Sequence, residues 1–415
     1  MEPPCDESRM ARQRERISAE YGWMPAELAR GNEITLGFEA GTALPSINKI
    51  FAKLSESDAF AGLEVGYRYA YFRENKLFFC LKLGKKEDWE RIWERKLFGH
   101  EIMDFEAGEY GFEEKEMALL KRKYALMAKA VVDILSSFGI TSISGRKELE
   151  GAWKLILPLI SHNFAKRAGP DCKGQPTAAL AWGMKHDTLE YYASSVHFCA
   201  DVLSSLGARC ALVVLSRPAI LRAVAKDGEE AYIDPSEKRI CHDKEEVRKS
   251  YGPVFSIENY SENELPYSYL YMIQEGFFSQ KSMKREAAQA LEASIRLNGR
   301  NARTHWLRGM DFGIKGDYGA AAGCFRRAAE LEQLYCEAHY WLGRTLLLAG
   351  KPQEAMESLE KAAHAGPEHV EVFETLEEAA EAVRAAQNAQ SIPLPEERGQ
   401  KTAQERKYYI PQNGE

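Results

Sequence analysis

The chain has 415 residues, enough for about two to three domains, and 45% of them are apolar, an ordinary globular share. Lys and Arg total 55 against 62 Asp and Glu, a net charge of −7, so a general nucleic-acid binder is not expected. Eight cysteines, at 5, 80, 172, 199, 210, 241, 324 and 336, form no CxxC pair, which points away from a disulfide framework or a metal site and leaves room for a single catalytic thiol.

The first 30 residues are polar and charged, unlike a secretory signal, and the Arg12–Arg16 run reads as a solvated helix. No apolar run approaches the roughly 18–20 residues of a membrane span, so a soluble, cytoplasmic setting without membrane contact is expected. Residues 31–265 read as an α+β domain with its core at about 140–245. Within it, Ile47–Leu54, Glu87–Phe98, Glu113–Phe138 and Glu148–Phe164 carry helical spacing, and Val65–Phe72 pairs with Leu77–Leu83 around a short turn. Gly62–Gly66 lacks the third glycine of a dinucleotide loop, and Gly169–Gly174 lacks phosphate-loop spacing, so no cofactor is implied.

Thr188–Leu206 has apolar or small residues at Leu189, Tyr192, Val196, Cys199, Leu203 and Leu206, ending on Gly207 as a helix should. Cys199 falls on the apolar stripe and His197 off it, so His197 is expected at a solvated or interdomain position. Ala208–Leu215 reads as a buried strand. Leu221–Ala225 and Ala231–Ile233 flank the hairpin signal Asp227-Gly228, and the segment ends on Asp234-Pro235-Ser236. Cys241 and His242 are neighbours, but alternation points them to opposite faces of a strand.

Over roughly residues 175–240 this order resembles the transglutaminase-like superfamily, whose papain-like core packs a helix on an antiparallel sheet. The residues carrying the resemblance are Leu206-Gly207-Ala208-Arg209, the Asp227-Gly228 hairpin and Ile233-Asp234-Pro235-Ser236. Active members use Cys, His and Asp. A helix N-terminus and an imidazole lower the thiol pKa, and the acid orients the imidazole. The resemblance places the thiol where this chain has Tyr192 and the imidazole where it has Ala219; Asp234 alone stands in its family position. A non-catalytic domain is the expectation. The alternative is a cysteine-dependent amidase, peptidase or acyl-transferase using an off-register thiol, Cys172 from the preceding loop or Cys199. Asp234 also has a plainer reading, as the cap of the following turn.

The segment 266–390 carries an internal repeat. An offset of 34 residues sets Gly309 on Gly343, Gly316 on Gly350, Ala321 on Ala355, Phe325 on Leu359, Ala328 on Ala362 and His305 on His339. These positions resemble the tetratricopeptide repeat over roughly residues 268–368, as two good units and one degenerate one. Arg308 stands where that family prefers Leu. Glu368–Gln387 reads as a capping helix and 391–415 as a disordered tail. By the family's geometry the inner face holds Arg303, Trp306 and Met310 in one unit and Tyr340, Arg344 and Leu347 in the next. Trp, Tyr and Arg are residue types of interface hot spots, so a protein or peptide partner is expected in this groove. The competing reading is that Trp306 and Tyr340 fill the core between repeats.

Overall fold

A computed structural model describes residues 33–39, 64–73, 76–84, 97–161, 180–185, 192–216, 219–261 and 266–391. It divides into two compact units, the first comprising residues up to Tyr251 together with Ile257–Tyr269, the second Gly252–Ser256 and the chain from Leu270. The expected helices at 47–54 and 87–96, the polar start and the tail at 392–415 lie outside the described residues.

The first unit opens on a three-stranded antiparallel sheet ordered β1-β3-β2, with β1 at Glu33–Glu39, β2 at Glu64–Arg73 and β3 at Lys76–Gly84. Helices follow: α1 (Phe98–Tyr110), α2 (Glu114–Ser137), α3 (Arg146–Ser161), α4 (Leu180–Lys185) and α5 (Tyr192–Ser205). The α2 helix packs on β2, where Asp133 accepts from the Tyr67 hydroxyl and, at 3.4 Å, from the Ala70 amide.

A five-stranded sheet, ordered β7-β6-β5-β4-β8, completes the unit: β4 (Arg209–Val214), β5 (Ala219–Val224), β6 (Glu230–Asp234), β7 (Arg239–Cys241) and β8 (Ser256–Tyr260), with α6 (Lys244–Tyr251) between the last two. Neighbouring strands from β4 to β7 run antiparallel. Gly207 ends α5 at φ 90°, the left-handed conformation that glycine adopts without a Cβ penalty. The predicted helix, strand and hairpin between 192 and 234 are therefore present, and α5 packs on β4 and β5.

The second unit is helical. It opens with α7 (Tyr267–Gln280, which begins in the first unit) and α8 (Lys284–Leu297), and α8 packs on α9 (Ala302–Ile314). Two packed pairs follow, α9 with α10 (Tyr318–Leu331) and α11 (Cys336–Leu348) with α12 (Pro352–Ala365). The last helix is α13 (Val370–Ser391). The 34-residue register acquires a physical meaning here. A Cβ on Gly309 would lie 2.6 Å from the Phe325 ring, and one on Gly343 would lie 2.5 Å from Leu359, so glycine lets each pair close. Ala321, Ala328, Ala355, Leu359 and Ala362 are fully buried and Phe325 almost so. His305 and His339 act alike: each Nε2 meets a carbonyl six residues back, Gly299 at 3.0 Å and Gln333 at 3.1 Å. Arg308, the departure from the repeat pattern, lies over the Phe312 ring and pairs with Glu292 of α8 at 3.5 Å.

Candidate functional site

Strand register decides which of the resemblance-derived residues can meet. Cys210 of β4 lies beside Ser204 and Cys199 of α5, so the face of the sheet that carries Cys210 is the one turned to the helix. Cys210 pairs with Ala223 and Val214 with Ala219, which puts Ala219 on that helix face. Leu221 of the same face pairs with Ile233, so Asp234, one residue on, points to the opposite side. Ala219 and Asp234 do not share a face, and an imidazole at 219 would not reach this carboxylate.

Asp234 instead closes its own turn. Its Oδ1 accepts from the amides of Ser236 at 2.8 Å and Glu237 at 3.1 Å. Burial and the nearby Asp234 carboxylate together raise the Tyr251 phenol well above its ordinary value; the two buried oxygens are neighbours without meeting hydrogen-bond geometry. Cys241 and His242 diverge as alternation requires. The thiol lies beside Ser250, whereas His242 Nδ1 is 4.0 Å from the Glu150 carboxylate on α3.

Cys199 is fully buried with Val196 and Leu203, and burial pushes its thiol far above the ordinary cysteine value; Cys210 is pushed up to about 12. A thiol in that state supplies almost no thiolate at neutral pH. The described part of α5 begins at Tyr192; that side chain and Cys172 both lie outside the described residues. Among the described residues Cys210, Asp201 and His197 do lie together around Tyr260 in the core, but the imidazole bonds the phenol and the thiol is held protonated by burial. No cluster of described His, Cys, Asp or Glu could hold a metal ion.

His197 is not solvated. It is 0% exposed, because α5 is covered by α1, α2, α3 and α4 as well as by the sheet, and its described side chains from Ser195 to Leu203 are buried all round. Its Nδ1 bonds the Tyr260 hydroxyl of β8, and desolvation lowers its pKa to about 3. One turn on, buried Asp201 accepts from the Phe98 amide at 2.7 Å, the Gly99 amide at 2.8 Å and the Tyr124 hydroxyl at 2.6 Å. The sequence offered one signal for this network, two ionisable residues inside an otherwise apolar helix.

The six groove candidates of the second unit are all half-buried. Trp306 and Tyr340 occupy equivalent repeat positions, 34 residues apart. Trp306, Met310 and Leu347 rest on the core formed by Ala321, Phe325, Leu342 and Leu346, while Tyr340 rests on Cys336, Ala362 and Val372. Each tier places a guanidinium over rings. Arg303 lies 5.3 Å from the Trp306 centroid and 5.7 Å from that of Phe255. Arg344 lies 5.5 Å from Trp341 and 5.8 Å from Tyr340, and donates to the Tyr340 hydroxyl at 3.2 Å. Phe255 and Tyr335, with centroids 4.4 Å apart, complete the first tier; neither stood out in the sequence. Phe255 is tied to the repeats through its carbonyl, which accepts from the Ala302 amide at 3.1 Å.

Comparison with known proteins agrees with this second unit. The tetratricopeptide repeat model matches residues 312–370, from the end of α9 through α12. That is the repeat whose glycines and alanines form the interlocking pairs above, and the chain carries a tetratricopeptide repeat there. Solved structures similar to this chain include the tetratricopeptide domain of Sgt2 from Aspergillus fumigatus (16% identity, 34% of this chain and 93% of that one, TM-score 0.28). Another is the Yersinia enterocolitica type III secretion chaperone SycD in complex with a peptide of the translocator YopD (16%, 32% and 100%, 0.27). A third is the first tetratricopeptide domain of Spaghetti bound to an HSP90 peptide (15%, 28% and 93%, 0.27). No curated protein matches the sequence. No helix among the described residues is long and apolar enough to cross a membrane.

Proposed function

We propose that the chain is a protein-binding scaffold whose tetratricopeptide units hold a protein or peptide segment against Arg303, Trp306, Met310, Tyr340, Arg344 and Leu347. The observation that carries this reading is the pair of guanidinium-over-ring tiers at repeat-equivalent helices, each half-exposed on a packed core. Rings fixed from behind lose little side-chain freedom on binding, and a stacked guanidinium keeps donors for a carbonyl or carboxylate. The first unit, in this reading, is a transglutaminase-like fold without its catalytic set. The α5-β4-β5-β6 order supports the likeness, and the opposed faces of Ala219 and Asp234, with Asp234 closing its own turn, support the loss of chemistry. The six described cysteines are in no disulfide, which supports a reducing setting such as the cytoplasm.

The test is affinity capture with the full chain and with a Trp306→Ala, Arg344→Ala double variant, followed by direct titration of any captured protein. The expected result is a partner that binds the unaltered chain and binds the variant at least about tenfold more weakly, while both melt alike. Equal binding by the two chains would remove this surface from the reading.

A further inference from the structure

We infer that the first unit carries a binding site for a small organic anion, a carboxylate or phosphate on a compact apolar body, in the cavity where β4 begins and β5 and β8 end. The cavity, about half open to solvent, has a volume of about 430 Å3, within the size range of small-molecule sites. Strand register builds it. Arg209 faces Val224 and Arg222 faces Ala211 across the β4–β5 ladder, so the two arginines are diagonal neighbours on one face of the sheet, and the cavity rounds the sheet's end, because Ser204 of α5 and Cys210 and Tyr260 of the helix side line it as well. On β8 the exposure alternates, and Asn259, exposed beside buried Tyr260, lines the same space. The rings of Phe98 and Tyr260, with centroids 5.4 Å apart, supply an apolar wall.

Charge selects the ligand class. Two arginines and no carboxylate line the cavity. Arg222 is fixed by Glu230 on β6, through Nε at 2.7 Å and a terminal nitrogen at 2.5 Å, and the Tyr232 hydroxyl donates to the same carboxylate. Arg209 is exposed, and among the described residues no carboxylate pairs with it. A guanidinium at the rim of a concave, half-apolar space attracts an anion more strongly than it does on an open surface, and its planar fork matches a carboxylate or phosphate in two parallel bonds. A neutral ligand would leave Arg209 without a partner, and an inorganic ion would leave the ring wall uncovered.

The experiment is calorimetric titration of the full chain with benzoate, phenyl phosphate, benzyl alcohol and inorganic phosphate. One of the two aromatic anions is expected to bind at least about tenfold more tightly than benzyl alcohol or inorganic phosphate, and which one does so distinguishes carboxylate from phosphate. Arg209→Ala is expected to weaken that binding about tenfold and Arg209→Lys less. Arg239→Ala, an exposed arginine on the same face but on β7 and away from the cavity, is expected to leave it unchanged. Should Arg209→Ala melt early, Arg209→Gln carries the same expectation with the side-chain bulk retained. The inference is overturned if neither anion binds at millimolar concentration, if the alcohol or inorganic phosphate binds equally well, or if Arg209 variants bind as the unaltered chain does.

Discussion

Gly343 and Gly309 perform the same task with different tolerance. A Cβ at 343 would meet Leu359 at 2.5 Å and the Ala355 carbonyl oxygen at 3.1 Å, whereas at 309 the nearest atoms all belong to the Phe325 ring. A ring can turn; a helix backbone cannot retreat without opening the pair. Gly343→Ala is therefore expected to destabilise the repeats by about 1–3 kcal/mol and Gly309→Ala by less, as read from urea midpoints of the two variants. The reverse ranking would mean that the Phe325 ring is the more rigid neighbour. Cysteine chemistry is also decided residue by residue. Cys324 is half-exposed, while Cys199 and Cys210 lie in the core with their thiols held protonated by burial. Alkylation of the native chain at neutral pH, mapped by mass spectrometry, should label Cys324 before either of them. Early labelling of Cys199 would restore it as a candidate nucleophile.

The α1 helix shows how one element depends on another far along the chain. Its N-cap is Leu97, which offers no side-chain acceptor. The first amides of α1 bond instead to Asp201 on α5, more than a hundred residues away. Asp201→Ala would leave the buried Gly99 amide, the part-buried Phe98 amide and the buried Tyr124 hydroxyl without an acceptor, a cost of about 2 kcal/mol or more. The loss should appear first as faster hydrogen exchange at the start of α1; exchange unchanged there would show that water replaces the carboxylate. The same dependence explains what the sequence could and could not reveal. Helices and strands with their own periodicity and end signals, such as α2, α3, α5 and the β5–β6 hairpin, were legible. No helix was expected over α1, because its cap is supplied from elsewhere. His197 lies off the apolar stripe and is nonetheless buried, because stripe position predicts burial only for a helix with a solvent side, and α5 is buried all round from Ser195 to Leu203. The groove candidates came from the 34-residue offset, whereas Phe255 and Tyr335 escaped it, lying before the repeats and at the boundary between units.

At the scale of the molecule, the first unit has buried groups whose protons are shifted in opposite senses, and their sum sets its pH optimum. Burial raises Glu106 from 4.5 to about 8 and Asp201 from 3.8 to about 6, although backbone amides bonded to each pull the other way. Between those limits the folded chain keeps protons that the unfolded chain has released, so stability falls as pH rises. His197 is lowered from 6.5 to about 3; below 6.5 the unfolded chain takes up a proton that the folded chain refuses, and stability falls as pH drops. Two carboxyl groups lose stability toward alkaline pH, while His197 and His100, which burial also lowers, lose it toward acid. The Glu106 window, from 4.5 to about 8, covers the whole interval between about pH 5.5 and about pH 8, so the balance there lies on the acid side of neutrality. The first unit should therefore be more stable at about pH 5.5 than at about pH 8, measured as the urea midpoint of hydrogen exchange in peptides from α1 and α2, which keeps the repeats out of the readout. Glu106→Gln, which retains the shape but cannot ionise, should remove most of that difference. A midpoint higher at the alkaline end, or a slope unchanged in the variant, would mean that the amides of Leu180 and Ala181, which bond Glu106 at 2.6 and 2.7 Å, hold its carboxylate charged against burial.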